Sequence, residues 1–210
     1  MGQIVDIGRR IELVPMDTHF HDITIALYHQ EGEGSAEFLA QTYSRLEGAG
    51  ERVVSAVGAM EVLGEMNVTP EGLLRFPCGG EHEVACRRLF LEACKLDPKG
   101  EIEPRPLTIL DKKSGRNITV ISLGEGVYQV AADGEEEGKE RRIAVVVNGL
   151  MKLGEMLGVE GCPDRVAFGC GHAHDALVGL LLVRAPNVRA LVREQQMIAA
   201  RGILSSPSQQ

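Results

Sequence analysis

The chain has 210 residues, 44% of them hydrophobic, and a formal net charge of −8. This length suits one large domain or two closely packed halves. The negative charge argues against a general binder of the nucleic-acid backbone, because that affinity comes mostly from Lys and Arg. The most apolar run, 176–183, is far shorter than the about 20 residues that a membrane-spanning helix needs. Five cysteines without an apolar secretion signal favour reduced thiols. We therefore expect a cytoplasmic protein that binds neither nucleic acid nor membrane.

The first predicted half-repeat covers residues 1–100. Its apolar spacing and turn residues predict secondary structure elements in a definite order. These are a β-hairpin of 9–15 with 20–28, a helix near 35–47, an amphipathic helix over 51–66, a short strand at 72–76, and a Gly-containing turn that leads into a second helix.

The second predicted half-repeat covers residues 101–202 and has a similar order of elements. They are a hairpin of 105–111 with 117–123, a third strand at 127–132, an acidic loop at 133–138, an amphipathic helix over 141–157, a short strand at 164–168, an apolar helix over 174–185, and a terminal helix near 187–201. The polar residues 203–210 are expected to form a disordered tail.

Two sequence repeats relate these halves. Leu63-Gly64-Glu65-Met66 recurs as Leu153-Gly154-Glu155-Met156, and the pattern Phe-x-Cys-Gly-x-x-His-acid occurs at 76–83 and again at 168–175. Their shared order predicts an α+β fold of two duplicated half-domains around a pseudo-two-fold axis, each a β-hairpin followed by helix, short strand and helix. The helix at 174–185 is apolar nearly all round, so we expect it at the centre of the fold or in a homodimer interface.

Four of the six histidines occur in His-x-His-Asp motifs, at His19, His21 and Asp22 and again at 172–175. Neutral imidazole is a common metal ligand, and a following Asp can orient a ligand or act as a general base. The first motif resembles the first-strand motif of amidohydrolase-type metal enzymes over residues 17–22. Those enzymes are (β/α)₈ barrels of about 250 residues, so we interpret the resemblance as shared metal-ligand spacing and not as kinship.

The cysteines divide into two groups. Cys170 lies between two glycines and beside a histidine, which makes it the best candidate for a thiolate ligand. Cys86 and Cys94 lie on an apolar helical stripe and are expected to pack in the core. For Cys78 the sequence leaves packing and chemistry open, and His82 could pair with it as a degenerate second site.

These patterns favour a metal-dependent enzyme, hydrolytic in class, that acts on a small-molecule substrate with zinc as the expected divalent metal. The predicted metal ligands are His19, His21, His172, His174 and Cys170, and the predicted catalytic acids are Asp22 and Asp175. Two alternatives stay open. One is a non-catalytic metal- or ligand-binding protein with every ligand position filled, and the other is a metal-free enzyme that uses Cys170 or Cys78.

Overall fold

The computed structural model describes five stretches of the chain, residues 8–16, 23–31, 35–96, 100–134 and 138–187. Within them the fold is α+β, with four α-helices and two five-stranded antiparallel sheets. No helix in these stretches has the length and apolar character that would let it cross a membrane.

The first sheet is a three-stranded meander extended by two short strands. In spatial order its strands are β1 (Arg9–Met16), β2 (Ile23–Glu31), β3 (Ala36–Thr42), β5 (Leu74–Arg75) and β4 (Asn67–Val68). The pairing of β1 with β2 confirms the first predicted hairpin within the described residues.

The helix predicted near 35–47 is wrong, because β3 occupies most of that segment. Its burial alternates along the chain, with Ala36, Phe38 and Ala40 buried and the residues between them partly exposed. Ala, Glu, Leu and Gln favour helices when local preference decides. Here the strand is hydrogen-bonded to β2 on one side and β5 on the other, and this pairing overrides local propensity.

The second sheet has the same strand order as the first. Its strands, again in spatial order, are β6 (Thr108–Asp111), β7 (Arg116–Gly124), β8 (Val127–Ala132), β10 (Cys162–Ala167) and β9 (Leu157–Val159). The predicted hairpin around the turn at 112–115 and the predicted third strand are both confirmed.

Each half has two helices, one after the three-stranded meander and one after the two short strands. They are α1 (Ala49–Gly64) and α2 (Glu83–Ala93) in the first half of the chain, and α3 (Lys139–Gly154) and α4 (Asp175–Arg184) in the second. Helices of one half pack against those of the other, since α4 contacts both α1 and α2, and α2 contacts α3. One hydrophobic cluster therefore includes buried residues from both sheets and all four helices.

The repeated Leu-Gly-Glu-Met motif ends the long helices α1 and α3. A Cβ atom at Gly64 would overlap the side chain of Leu89 in α2, and one at Gly154 would lie 2.7 Å from Leu181 Cδ1 in α4. Glycine at these positions therefore lets each long helix approach the second helix of its own half. The next residue, Glu65 or Glu155, takes the left-handed conformation that ends the helix.

Helix α4 is central, as its composition predicts. Six of its apolar side chains are buried, while Val183 is 45% exposed. The predicted terminal helix near 187–201 and the predicted tail at 203–210 lie outside the described residues, apart from Asn187 at the end of a short 3-10 helix (Ala185–Asn187).

Candidate metal centre

Two matching turns form the centre of the site. In each, a strand ends one residue before a buried phenylalanine, and the glycine three residues after that phenylalanine donates a backbone hydrogen bond to its carbonyl oxygen. The bond runs from Gly79 to Phe76 at 3.0 Å and from Gly171 to Phe168 at 3.1 Å. Both glycines are left-handed, with φ of 71° and 72°, a conformation that costs glycine little. The cysteine before each glycine therefore projects from a tight turn with the same geometry.

A helix begins directly after each turn, and a histidine sits at its start. The carbonyl of His82 accepts the first backbone hydrogen bond of α2, and the carbonyl of His174 does the same for α4. Each histidine follows its cysteine by four residues, and the reversal of the turn brings the side chains together. The Sγ–Nε2 distance is 3.2 Å from Cys78 to His82 and 3.4 Å from Cys170 to His174.

The two Cys-His pairs meet at one place. One ligand atom from each of Cys78, His82, Cys170 and His174 lies within 4.8 Å of every other, which makes a Cys2His2 group that could hold a metal ion. The two imidazole rings are 4.9 Å apart between centroids, at an interplanar angle of 73°. Each half of the chain contributes one sulfur and one nitrogen, so the group bridges the two halves.

Aromatic packing fixes the orientation of both imidazoles. The ring of His82 makes edge contacts with Phe76 at 5.1 Å and with Phe168 at 5.4 Å. The ring of His174 contacts the same two phenylalanines at 5.7 Å and 4.9 Å. Each histidine thus packs against the phenylalanine of its own half and that of the other half. Little freedom is left to the rings, which preorganises the nitrogen donors.

Backbone N–H groups donate hydrogen bonds to both sulfur atoms of the site. The N–H of Gly80 donates to Cys78 Sγ at 3.3 Å, and the N–H of His172 donates to Cys170 Sγ at 3.5 Å. Hydrogen bonds from backbone N–H groups favour the thiolate, which is the form of cysteine that binds metals. Helices α2 and α4 also begin next to the site, and the positive ends of their dipoles act in the same direction.

Burial favours the neutral forms of Cys78, His82 and His174. It lowers the pKa of His82, and it lowers the pKa of His174 to about 4 with help from the nearby His82 and His172. It also raises the pKa of the Cys78 thiol, with a further contribution from Cys170. Both imidazoles are therefore uncharged at neutral pH, which is the form that binds metals. A divalent ion with two thiolates and two imidazoles would likewise carry no net charge.

Gly80 lies against the site. A Cβ atom at this position would be 2.8 Å from His82 Nε2 and 3.3 Å from Cys78 Sγ, so a side chain there would crowd two of the four donor atoms. The second turn has His172 at the corresponding position. Its side chain is exposed, and its Nδ1 lies 2.8 Å from the carbonyl oxygen of Cys170.

The first turns of α2 and α4 are hydrogen-bonded to different partners. In the second half, the Tyr128 hydroxyl donates to Asp175 at 2.8 Å and accepts from the buried N–H of His174 at 2.6 Å. In the first half, the N–H of Val84 donates to Glu155 at the end of α3, at 3.2 Å. This contact ties the start of α2 to the other half of the chain.

The sequence-predicted site residues fall into three groups. Cys170 and His174 lie in the Cys2His2 group, and their role as ligands stays a prediction. His172 lies beside the group but is not a member of it, and Asp175 is hydrogen-bonded to Tyr128. The predicted ligands and catalytic acid of the first motif lie outside the described residues, namely His19, His21 and Asp22.

Cys78 and His82 are the members of the group that the sequence interpretation did not place there. The sequence left open whether they form a separate degenerate site, and the structure instead places them in one group with Cys170 and His174. The signal was present in the sequence, since both turns carry Cys-x-x-x-His at the same distance from a phenylalanine.

Comparison with protein-family models, with curated proteins and with solved structures finds no match to this chain.

Proposed function

We propose that this protein binds one zinc ion in a closed, non-catalytic site formed by Cys78, His82, Cys170 and His174. The observation that carries the proposal is the convergence of four donor atoms within 4.8 Å from two matching turns. Two sulfur and two nitrogen donors are a common ligand set of structural zinc sites, which are four-coordinate and tetrahedral.

The donor distances agree with tetrahedral coordination. With Zn–S near 2.3 Å, Zn–N near 2.05 Å and a tetrahedral angle, the sulfur and nitrogen of one pair should be about 3.5 Å apart. The observed separations are 3.2 Å and 3.4 Å. Within each Cys-His pair the two donors therefore need to move apart by only a few tenths of an ångström to reach that separation.

The donor chemistry supports zinc over the hard cations. Thiolate and imidazole suit zinc and other borderline or soft metals, whereas magnesium and calcium prefer carboxylate, carbonyl and water oxygens. No carboxylate belongs to the group that the described residues form. We therefore propose zinc as the resident ion.

A closed site fits these four donors better than a hydrolytic one. Catalytic zinc sites usually have three protein ligands and leave the fourth position to water or substrate. Here Cys78, His82, Cys170 and His174 would fill all four positions. Asp175, the expected base, is engaged by the Tyr128 hydroxyl. We therefore propose metal binding in place of the hydrolysis expected from the sequence.

A metal-free cysteine enzyme is supported less well than zinc binding. A nucleophilic cysteine is activated as a thiolate, commonly beside a protonated histidine. Burial lowers the pKa of His82 and His174 and raises the pKa of the Cys78 thiol, so these groups favour their neutral forms over that ion pair. Two such pairs in contact are also more than a single nucleophile requires, whereas they complete one metal site.

We also propose that the two halves arose by duplication. Several features support this: the identical strand order of the two sheets, two 16-residue helices that end in the same four-residue motif, and the matching cysteine turns. On this proposal each copy keeps one Cys-x-x-x-His unit, and the ion binds between the copies.

The test is the metal content of untagged protein, measured by elemental analysis, together with the coordination shell from X-ray absorption. We expect one zinc per chain with two sulfur and two nitrogen neighbours. Cys78→Ser and Cys170→Ser should each lose the metal while staying folded by circular dichroism. Cys162→Ser is the matched control and should retain it, because Cys162 lies outside the group. Undiminished zinc in both ligand variants, or an oxygen neighbour from water in the wild type, would contradict the closed site.

A further inference from the structure

The two sulfur atoms of the site come from opposite halves of the chain, yet they are neighbours. Cys78 Sγ and Cys170 Sγ lie within 4.8 Å of each other, and the proximity of Cys170 contributes to the raised pKa of the Cys78 thiol. A disulfide has an S–S length of about 2.05 Å, so the sulfurs need to approach by less than about 3 Å. Both lie in irregular turns next to a left-handed glycine, Gly79 or Gly171, and not inside a helix or strand.

We propose that Cys78 and Cys170 are the site of a reversible oxidative modification, in which a hydroperoxide converts them to a disulfide that bridges the two halves and releases the bound ion. The release of the ion rests on the proposed zinc site, whereas formation of the disulfide rests on the position of the two thiols alone. The protein would thus couple zinc release to the presence of peroxide.

The reaction has two steps. One of the two thiolates attacks an oxygen of hydrogen peroxide, the O–O bond breaks, and the products are a sulfenic acid and, after a proton is taken up, water. The second thiolate then attacks the sulfenic sulfur, the S–O bond breaks, and hydroxide leaves as a second water after protonation. Two thiolates, one peroxide and two protons give one disulfide and two waters, so the sulfurs lose the two electrons that the peroxide gains.

The disulfide would remove the ion because it removes both charged ligands. Thiolate sulfurs bind zinc, whereas disulfide sulfurs carry no charge and coordinate it poorly. Only His82 and His174 would remain as donors, and two neutral imidazoles hold zinc far more weakly than four ligands. Reduction by a dithiol would regenerate both thiols and restore the site.

Accessibility separates these two cysteines from most of the others. Cys78 and Cys170 are partly exposed, whereas Cys86 and Cys94 are buried. Burial also raises the pKa of Cys94 to about 12 and that of Cys86 well above its ordinary value, which leaves little thiolate to react. Cys162 is partly exposed as well, but it lies outside the donor group.

The experiment uses the full chain, loaded with zinc under reducing conditions and then freed of reductant. Hydrogen peroxide is added in small molar excess, and three quantities are followed together. These are the zinc released to a chromogenic chelator, the thiols titrated in denaturant, and the disulfide-linked peptides in a non-reducing digest. We expect release of the zinc, a fall from five thiols to about three, a cross-linked pair of peptides containing Cys78 and Cys170, and recovery of zinc binding after a dithiol is added.

A control variant and the metal-free protein show which part of the proposal a negative result contradicts. Cys162→Ser should behave as the wild type, apart from one thiol fewer. Retention of zinc in peroxide excess would overturn the proposal, and so would release with sulfinic acid at Cys78 or Cys170 in place of the cross-link. If the reduced protein holds no zinc from the start, the proposed function fails. In that case the same digest is carried out on the metal-free protein after peroxide treatment, and it tests formation of the disulfide alone. If no cross-linked peptides of Cys78 and Cys170 are found there, this inference is overturned as well.

Discussion

The backbone of Gly80 passes so close to His82 that a Cβ atom at position 80 would lie 2.8 Å from the Nε2 atom of the ring. In Gly80→Ala the added methyl group therefore competes with the ion for the space beside two donors. We expect zinc affinity to fall by about 10- to 100-fold, the range that disturbed ligand support usually produces. Competition with a chromogenic chelator measures the change.

Gly169→Ala is the matched control for this prediction. Gly169 lies in the other turn, next to Cys170, but a Cβ atom there would contact only Leu157 Cδ1, at 3.9 Å. This variant should bind zinc as tightly as the wild type. If Gly80→Ala and Gly169→Ala bind zinc equally well, then the ion does not sit among the donors that Gly80 faces.

Tyr128→Phe tests the support behind the second turn. The hydroxyl of Tyr128 accepts from the buried N–H of His174 and donates to Asp175. Its removal leaves a buried donor without its partner, which costs about 1–3 kcal/mol. We expect the free energy of unfolding in urea, measured with zinc in excess, to fall by that amount.

Tyr43→Phe provides the comparison for Tyr128→Phe. It removes a hydroxyl contact of similar length, 2.6 Å to the hydroxyl of Tyr28, but Tyr43 is 60% exposed and water can replace it. The loss should stay below about 0.5 kcal/mol. Equal losses in the two variants would mean that the Tyr128 hydroxyl has no special part in holding the turn.

Two helical glycines should respond in opposite directions to alanine. At Gly149 in α3, a Cβ atom would overlap the backbone oxygen of Ala185 and lie 2.6 Å from its Cα. Backbone cannot move aside as a side-chain tip can, so Gly149→Ala should destabilise the protein by about 1–3 kcal/mol.

At Gly58 in α1 no atom lies within 4 Å of such a Cβ. Gly58→Ala should therefore stabilise by about 0.5–1 kcal/mol, because alanine favours the helix. Thermal unfolding of both variants measures the two changes in stability. Stabilisation by Gly149→Ala would show that α3 and the segment after α4 are not in close contact.

Zinc binding should weaken as the pH falls. In the proposed site the ion would bind thiolates and neutral imidazoles, so protons would compete with it for all four side chains. Near pH 7 the binding of one ion should release up to about two protons, one from each thiol. Isothermal titration calorimetry in two buffers of different ionisation enthalpy measures that number. The Cys162→Ser variant should give the same value, and an affinity independent of pH between 6 and 8 would argue against two thiolate ligands.

The sequence predicts most of the fold, because the elements that it identifies have clear local signals. The amphipathic helices α1 and α3 follow from apolar spacing, and the hairpin of β6 and β7 follows from its polar turn. The sequence does not predict strand β3, because Ala, Leu, Glu and Gln favour a helix locally. Only pairing with strands on both sides makes the segment extended.

The site is predictable only in part, since its four donors come from two turns far apart in the chain. Spacing identifies each Cys-x-x-x-His unit, while the His-x-His-Asp motif makes His174 a candidate ligand and the flanking glycines and a nearby histidine do so for Cys170. It cannot show that the two turns meet. That meeting depends on how α2 and α4 pack together, and on the two phenylalanines that contact both imidazoles. For the same reason, Cys78 and His82 could not be joined to the other pair from sequence alone.

The division of the donors between the halves also sets when the ion can bind during synthesis. A nascent chain that has left the ribosome only as far as α2 carries Cys78 and His82, and two donors hold zinc weakly. Tight binding must wait until the second turn has emerged and β8 and β10 have placed Cys170 and His174 against the first pair. A chain truncated before residue 170 would therefore remain without zinc, and the loaded ion would mark those molecules whose translation had reached the second turn and whose halves had docked.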